Sequence, residues 1–260
     1  MDPHKSTELI GRTAVVTGSS SGIGRAIAIE LATAGAAVVV HAGHNASAAE
    51  DVADHIEGLG GRAEVVVLDL LETAAHESLV EAAWKWRYDV DIWVNNAGAD
   101  VLTGPAAEMS FEQKADLLWK VDVLSTIRLA RMAAQRMANS GGGSILNIGW
   151  DGARRGMAGD SGELFAATKG AIMAFSRSLA QSAAKNVRVN CIAPGWIKTA
   201  WGETVGSEWQ NRAKDESLLG RWGTPEDIAK VARFLVSDDA QFINGQVVDV
   251  NGGFRLAGSF

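Results

Sequence analysis

The chain has 260 residues, of which 47% are hydrophobic and 21% are charged, and its formal net charge is −7. This length and composition fit one soluble α/β domain with a substantial core. The acidic balance argues against nucleic acid as the main partner, and no apolar run reaches the roughly 18 residues that a membrane span needs.

Seven short apolar runs predict strands that are buried on both faces. They are nearly continuous in Val, Ile, Leu and Ala, as expected for a parallel sheet that helices cover on both sides. The predicted strands span residues 13–17, 36–41, 63–68, 91–95, 143–148, 187–192 and 246–250.

Longer segments with helical spacing or helix-forming composition lie between these runs. They span residues 23–34, 47–59, 71–84, 110–138, 163–184 and 225–236. Ser110 and Thr224 stand where helix caps belong, and Pro225 suits a first helical position. The alternation predicts a single α/β domain over residues 1–260, with a Rossmann-type, doubly wound parallel sheet of about seven strands. Residues 199–222 interrupt the alternation after the sixth strand, where a substrate lid is expected.

Two features bear on the compartment in which the protein works. Residues 1–11 contain no apolar stretch typical of a secretion signal, and Cys191 is the single cysteine of the chain. We expect Cys191 to be a buried structural thiol, and we expect a cytoplasmic protein without disulfides.

A glycine-rich turn follows the first predicted strand. Residues 17–24 read Thr-Gly-Ser-Ser-Ser-Gly-Ile-Gly and lead into a helical segment. Glycines let the backbone approach phosphates closely, and a helix N-terminus offers free N–H groups and the positive end of its dipole. The turn is therefore typical of a pyrophosphate site, although Gly18, Gly22 and Gly24 could also be plain turn glycines.

Five motifs in this order resemble those of the short-chain dehydrogenase/reductase family, and the resemblance covers residues 11–253. The first is the spacing of the glycine turn. The others are Asn-Asn-Ala-Gly at residues 95–98, Pro-Gly-Trp-Ile-Lys-Thr at residues 194–199, and the segments 221–229 and 243–253. The resemblance implies an NAD(P)-dependent oxidoreductase that acts on a small molecule.

The resemblance also implies which residues hold the cofactor. Asp69 would hold the adenine amino group, unless it is only a surface carboxylate, and Asn96 would shape the cleft or simply join backbone segments. No metal site is expected. The implied cofactor-binding residues are Gly18, Ser20, Ser21, Gly22, Ile23, Gly24, Ala42, His44, Asn45, Asp69, Leu70, Asn96, Ala97, Gly98, Lys169, Pro194, Gly195, Trp196, Ile197 and Thr199.

The end of the second strand decides which nicotinamide cofactor is preferred. An acidic residue there binds the ribose 2′-hydroxyl and repels a 2′-phosphate, but this chain has Ala42. The usual compensating arginine is also missing, since Ser21 and Gly43 stand at the positions where it would occur. Ser21, His44 and Asn45 could hydrogen-bond a phosphate, so we expect NADP to be preferred over NAD. His44 could equally be a solvated loop residue.

The catalytic positions of the family are altered in this chain. The resemblance implies a tyrosine that passes a proton, a lysine four residues later that binds the nicotinamide ribose, a serine that steadies the substrate oxygen and an asparagine that holds a relay water. Lys169 is present, but Phe165 stands at the tyrosine position, Trp150 at the serine position and Asp122 at the asparagine position. Tyr88, the single tyrosine, precedes the fourth strand and cannot supply the missing hydroxyl.

Carboxylates and indoles occupy the region instead. Asp122 and Asp151 are expected near the cleft with Lys169 between them, which is typical of acid–base chemistry, although Asp122 could do no more than pair with Lys169. Asp160 and Glu163 suit the caps and first turn of a helix better than catalysis. Indoles on the substrate side suit a flat or cationic ligand, although Trp201, Trp209 and Trp222 could simply pack the lid and Trp150 could fill the space left by the missing serine and tyrosine. These indoles are Trp150, Trp196, Trp201, Trp209 and Trp222.

Three functions remain open from the sequence. The first is an oxidoreductase that transfers hydride to or from a C=O, C=N or activated C=C bond, with Lys169 on the ribose and Asp151 or Asp122 handling the proton. The second is a catalytically silent NAD(P)-binding sensor or scaffold, and the third is a non-redox lyase or isomerase that uses the carboxylates. The dinucleotide motifs favour the first two, and Lys169 favours the first.

The resemblance further implies a homo-oligomer, either a tetramer or a dimer. The predicted helices over residues 110–138 and 163–184 would form one interface, because their small residues permit close packing. These residues are Ala130, Ala133, Ala134, Ala166, Ala167, Gly170, Ala171 and Ala174. Residues 254–260 could reach a neighbouring subunit.

Overall fold

The structure is a computed structural model, and it describes residues 8–255. One parallel sheet has the strand order β3-β2-β1-β4-β5-β6-β7. The strands are β1 Thr13–Val16, β2 Ala37–Ala42, β3 Arg62–Val67, β4 Ile92–Asn95, β5 Gly143–Ile148, β6 Val187–Pro194 and β7 Val247–Val250. The predicted doubly wound sheet is confirmed, and each strand ends within two residues of its predicted bounds.

Helices cover both faces of this sheet and enclose two apolar clusters. One cluster lies under α1, α2 and α9, and the other lies under α3, α5 and α6. The helices are α1 Gly22–Thr33, α2 Ala46–Gly58, α3 Thr73–Arg87, α4 Phe111–Leu118, α5 Ser125–Asn139, α6 Asp160–Ser182, α7 Ala200–Thr204, α8 Ser207–Glu216 and α9 Pro225–Val236. None of the helices over residues 8–255 is long and apolar enough to span a membrane.

Two helix starts follow the capping pattern of the sequence. The Ser110 hydroxyl accepts a hydrogen bond from the N–H of Gln113, and Thr224 does the same with Asp227, so both predicted caps are confirmed. Pro225 is the first residue of α9, where its missing N–H costs nothing.

The helix predicted over residues 110–138 is not regular. A π-helical segment, Trp119–Leu124, separates α4 from α5. At the end of this segment, the hydroxyl of Ser125, the first residue of α5, donates to the carbonyl of Val121 one turn earlier. Because π-turns add one residue to a helical turn, they shift the side chains of that turn, and they occur often at functional sites. Here the turn carries Asp122.

Two further helix starts differ from prediction. α3 begins at Thr73 rather than at residue 71, because the Asp69 carboxylate accepts from the N–H of Leu71 and holds the intervening residues in a turn. α6 begins at Asp160 rather than at residue 163, and the preceding Gly159 has a φ of +94°. Gly159 is the N-cap, so Asp160 and Glu163 lie in the first turn without capping it, and both are exposed.

Candidate functional site

The candidate site lies at the carboxyl ends of the strands, where the order of the sheet reverses. β1 lies between β2 and β4, so the chain leaves β1 toward one edge of the sheet and returns at β4 toward the other. A crevice opens at such a switch point, and ligands of open α/β sheets bind there. The glycine turn follows β1, and the Asn-Asn-Ala-Gly segment follows β4.

The glycine turn forms a close cradle. Gly18 has a φ of +63° and Gly22 a φ of +54°, a region that favours glycine. A Cβ at Gly24 would lie 2.3 Å from the Gly18 carbonyl oxygen and 2.4 Å from Asn96 Nδ2. Ser21 precedes α1 and gives it no side-chain cap, so the N–H groups of the first turn are available to an anion. The turn therefore fits the pyrophosphate of a dinucleotide.

Asn96 ties this cradle to the end of β4. Its Nδ2 donates to the carbonyls of Thr17 and Gly18 at 3.0 and 3.1 Å. In return the Thr17 hydroxyl accepts from the N–H groups of Asn96 and Ala97, each at 3.0 Å. Asn96 thus joins the glycine turn to the segment after β4, and Thr17 is its partner. The sequence did not reveal this role of Thr17.

Gly24 permits a direct test of the cradle. We expect Gly24→Ala to weaken NADPH binding by about 10-fold or more, since overpacking costs about 1–3 kcal/mol and the added methyl must displace backbone. Gly58→Ala is the matched control, because a Cβ there meets nothing within 4 Å. Fluorescence titration with NADPH measures the effect, and wild-type affinity in Gly24→Ala would contradict the assignment of the turn.

The adenosine end of the crevice lies beside β2 and β3. His44 Nε2 is 3.4 Å from Asp69 Oδ2, while 80% of the His44 side chain is exposed. The oxygen of the Asn45 side chain accepts from the N–H of Ala48 at 3.0 Å and caps α2. Ala42 is buried in the apolar cluster under α1, whereas a Cβ at Gly43 would meet nothing within 4 Å. Open space for a phosphate therefore lies at Gly43.

The segment predicted as a lid, residues 199–222, begins next to the glycine turn. A Cβ built on Gly22 would lie 3.7 Å from Thr199 Cγ2. Gly195 packs closely on Asn251, where an added Cβ would lie 2.5 Å from the Asn251 Cβ. Pro194 ends β6, and Ile197 is buried in the core. Residues 194–199 thus lead from the sheet to the turn.

Lys169 and Asp122 form a buried ion pair. Lys169 Nζ lies 2.9 Å from Asp122 Oδ2, and the exposed fractions of the two side chains are 14% and 1%. The other carboxylate oxygen of Asp122 accepts from the N–H of Ala99 at 2.8 Å. Asp122 Oδ2 also lies 2.9 Å from the position of a Cβ at Gly98. The π-turn therefore brings Asp122 against both α6 and the segment after β4.

A chain of buried amides holds α6, which carries Lys169, against the sheet. Asn95 Nδ2 donates to Asn147 Oδ1 at 2.8 Å, and Asn147 Nδ2 donates to the Ser176 hydroxyl at 2.9 Å. Trp93 Nε1 completes the chain by donating to Asn95 Oδ1. Each polar group is satisfied, which fixes the register of β4, β5 and α6.

Asp151 belongs to a different cluster, contrary to the expectation that Lys169 lies between two carboxylates. Its Oδ2 accepts from Arg155 Nη2 at 2.7 Å and from Asn251 Nδ2 at 2.8 Å. The Arg155 guanidinium lies 3.6 Å from the centre of the Phe254 ring. Asp151 thus anchors the short helix Asp151–Arg154 to the C-terminal segment. Residues 256–260, the rest of the predicted subunit contact, lie outside the described residues.

Neither altered position next to Lys169 offers a hydroxyl. Phe165 is half-buried and packs on a small apolar cluster that contains Val101, Leu118 and Leu164. Trp150 is also half-buried, and a Cβ on Gly152 would lie 2.3 Å from its ring. Tyr88 follows α3 and is exposed, as expected from its position before β4.

Four of the five indoles pack on one another in the lid. The Trp196 ring centre lies 6.3 Å from that of Trp201, 5.6 Å from Trp209 and 5.9 Å from Trp222. Trp196 Nε1 also donates to Glu216 Oε2 at 2.7 Å. The four rings therefore pack on one another, as the lid-packing alternative expects. Trp150 is not part of this group and stands at the altered serine position.

Other predicted features have simple outcomes. Cys191 is buried, and burial raises its pKa to about 12, so it is the inert thiol that we expected. Among residues 8–255, no group of three or more His, Cys, Asp or Glu side chains could hold a metal ion. Ala130, Ala133 and Ala134 of α5 are buried against the sheet, whereas Ala167 and Ala174 on α6 are exposed.

Comparison with known proteins agrees with this architecture. A family model described as enoyl-(acyl carrier protein) reductase matches residues 18–255. An uncharacterized oxidoreductase of Methylorubrum extorquens is 37% identical over 253 residues, which cover 96% of this chain and 100% of the relative. A 3-oxoacyl-(acyl-carrier-protein) reductase of Aquifex aeolicus is 35% identical over 251 residues, covering 95% and 98%. The solved structure of a 7α-hydroxysteroid dehydrogenase with NADH and 7-oxo glycochenodeoxycholic acid has a TM-score of 0.86 and 34% identity, and 98% of each chain is covered.

Proposed function

Because the chain belongs to the short-chain dehydrogenase/reductase family of NAD(P)-dependent oxidoreductases, we propose that it transfers a hydride between a nicotinamide cofactor and a C=O, C=N or activated C=C bond of a small molecule. The glycine turn would hold the pyrophosphate, Asp69 the adenine and Lys169 the nicotinamide ribose. When bound, the nicotinamide supplies or accepts the hydride. Residues 199–222 would cover the substrate as a lid.

The buried Lys169–Asp122 pair is the observation that carries this proposal. A pure scaffold has no need of a buried ion pair at the cleft, since such pairs contribute little net stability. The 2.9 Å contact with Asp122 holds the ammonium in one position, and Asp122 is itself fixed by the N–H of Ala99. This contact would orient Lys169 toward a hydroxyl of the nicotinamide ribose.

Asp122 is the stronger candidate for the carboxylate that handles the proton. It contacts Lys169 directly, whereas the Asp151 oxygen that faces Arg155 and Asn251 already accepts two hydrogen bonds. Asp151 would instead hold the segment that carries Trp150. Phe165, packed without a hydroxyl, favours the silent NAD(P)-binding sensor as the second candidate function.

The substrate class follows from the missing hydroxyls. A positioned acid is worth roughly 10²–10⁴ in rate, and neither Phe165 nor Trp150 can supply one. A substrate that already carries its positive charge, such as a cyclic iminium, needs no proton from the protein when it accepts hydride. The half-buried Trp150 ring suits such a flat cation. We therefore assign C=N reduction ahead of ketone reduction.

The cofactor preference is tested at Gly43. We propose that NADP is preferred over NAD, because Ala42 removes the repelling carboxylate and His44 and Asn45 offer N–H donors beside open space. Gly43→Arg is expected to tighten NADPH binding about 10-fold and to leave NADH unchanged, because a charge-assisted hydrogen bond to a phosphate contributes about 1.5–3 kcal/mol.

The matched control is Gly43→Gln, which fills the same space without charge. Titration of both variants and the wild type with NADPH and NADH, followed by nicotinamide fluorescence, measures the effect. Tighter NADH than NADPH binding by the wild type would contradict the preference. Failure to bind either cofactor would contradict the proposed function itself.

We also propose a cytoplasmic homo-oligomer, a tetramer or a dimer, with α6 at one interface. The support is the face of α6 on which Ala167 and Ala174 are exposed, with Gly170 and Ala171 half-buried between them. Small residues at this spacing allow a second helix to approach closely.

A further inference from the structure

A histidine stands in the interior of β2, where the sequence is otherwise apolar. β2 reads Ala-Val-Val-Val-His-Ala, and all six residues are buried. His41 is 1% exposed. Burying an imidazole in an apolar strand is unfavourable unless its nitrogens find partners, so the residue requires an explanation.

Both ring nitrogens of His41 have partners, one in the turn after β1 and the other just after β3. The N–H of Gly18 donates to Nδ1 at 3.1 Å, which leaves the ring hydrogen on Nε2. Nε2 then donates to the carbonyl of Leu68 at 2.9 Å. Desolvation by burial lowers the pKa of His41 to about 4, although the hydrogen bond to Leu68 and the charge of Asp69 act in the opposite direction, so the ring is neutral at physiological pH.

The backbone of His41 strengthens the same connection. Its carbonyl accepts from the N–H of Ser19 at 2.9 Å, and its own N–H donates to the Ser19 hydroxyl at 3.0 Å. That hydroxyl donates in turn to the carbonyl of Val16 at 2.7 Å. Three of the four polar atoms of His41 therefore hold the glycine turn, and the fourth holds the residue before Asp69.

The two segments that His41 joins have no other direct pairing in the sheet. β1 and β3 lie on opposite sides of β2, so the glycine turn after β1 and residues 68–70 after β3 approach each other only across β2. The turn would hold the pyrophosphate, and residues 68–70 would hold the adenine. The imidazole ring therefore bridges the two halves of this site.

We propose that His41 is a positioning residue for the adenosine half of the cofactor, acting as the neutral Nε2–H tautomer that holds the glycine turn and the Leu68–Leu70 segment in register. The proposal rests on the proposed function, because the ligand is the same nicotinamide dinucleotide. The ring contacts of His41 are with Gly18 and Leu68, away from the nicotinamide end of the site. We therefore expect a change at His41 to weaken binding of the adenosine half of the ligand only.

The test compares two replacements of His41. His41→Leu fills the volume but leaves the Gly18 N–H and the Leu68 carbonyl unpaired, and it is expected to weaken ADP-ribose binding at least 10-fold. His41→Asn retains an oxygen that can accept from Gly18 but is too short to reach the Leu68 carbonyl, so it is expected to bind about 3-fold more tightly than His41→Leu, a partial rescue that loss of packing alone does not explain. His55→Asn, on the exposed side of α2, is the control. Calorimetry measures the affinities for ADP-ribose and for nicotinamide mononucleotide, and the second is expected to stay unchanged.

Three results would overturn the proposal. Wild-type ADP-ribose affinity in His41→Leu would remove His41 from the site, while equal losses for both fragments would make its role one of general stability. Should His41→Leu not fold, ¹⁵N spectra of the wild-type imidazole decide the matter, since an Nδ1–H tautomer at pH 7 is incompatible with the Gly18 contact. Failure of the wild type to bind ADP-ribose would overturn the proposed function as well, which distinguishes the two.

Discussion

Replacing Lys169 with methionine is expected to lower kcat/KM for hydride transfer by about 10³-fold and to destabilise the protein by about 3–5 kcal/mol. The catalytic loss follows from removing the group that would orient the nicotinamide ribose, and with it the hydride donor. The loss of stability follows because Asp122, which is 1% exposed, keeps a buried charge without its partner. Steady-state kinetics and urea denaturation measure the two effects separately.

A double variant separates stability from catalysis in this pair. Asp122→Asn removes the charge yet keeps an oxygen that can accept from Ala99, so Lys169→Met combined with Asp122→Asn should regain most of the stability and none of the activity. Lys120→Met is the matched control, because Lys120 pairs with Asp116 at 2.6 Å on the exposed surface and such pairs contribute less than about 1 kcal/mol. Activity of Lys169→Met within 10-fold of the wild type would remove Lys169 from the mechanism.

The opposite effect is expected when Phe165 is changed to tyrosine. Phe165 lies four residues before Lys169 on α6, so the two side chains share one helix face. A hydroxyl at this position should raise the reduction of simple ketones about 10²-fold, within the range of positioned acids. Cofactor affinity should stay within about 2-fold, since Phe165 packs on Leu118 and Leu164 rather than on the glycine turn.

Phe175→Tyr is the control for this gain, because Phe175 lies on the same helix and packs on the cluster under α5. Initial rates on a panel of ketones measure the effect. A Phe165→Tyr variant that binds NADPH but reduces none of the ketones would contradict the prediction. Adding Trp150→Ser to that variant would then show whether the missing serine hydroxyl accounts for the lack of activity.

Much of the fold follows from local pattern. Strands buried on both faces leave a continuous apolar signal, and the caps at Ser110 and Thr224 mark helix starts with residues whose preference is local. The same locality explains the glycine turn, since a Cβ at Gly24 would lie 2.3 Å from the carbonyl oxygen of Gly18, six residues earlier. These features were predictable because few distant residues are needed to define them.

The site itself depends on contacts that no local pattern encodes. The π-turn brings Asp122 to Lys169 through packing between α5, α6 and the segment after β4. The local sequence does not encode that packing, so it predicts a regular helix. Asp151 pairs with Asn251, which lies 100 residues further along the chain, and no local pattern around Asp151 indicates that contact. The sequence singled out His41 only as part of a strand, since its role depends on the ends of β1 and β3.

The central claim is that the altered site still transfers hydride, and label transfer tests it most directly. The purified protein is mixed with one equivalent of NADPH carrying deuterium at the transferable C4 position and with either a cyclic iminium or the ketone of the same ring, and the products are read by mass spectrometry. We predict deuterium in the amine, at a rate about 10²-fold above that for the ketone. Bound NADPH with no deuterium in either product would contradict the claim and leave the silent cofactor-binding protein as the better description.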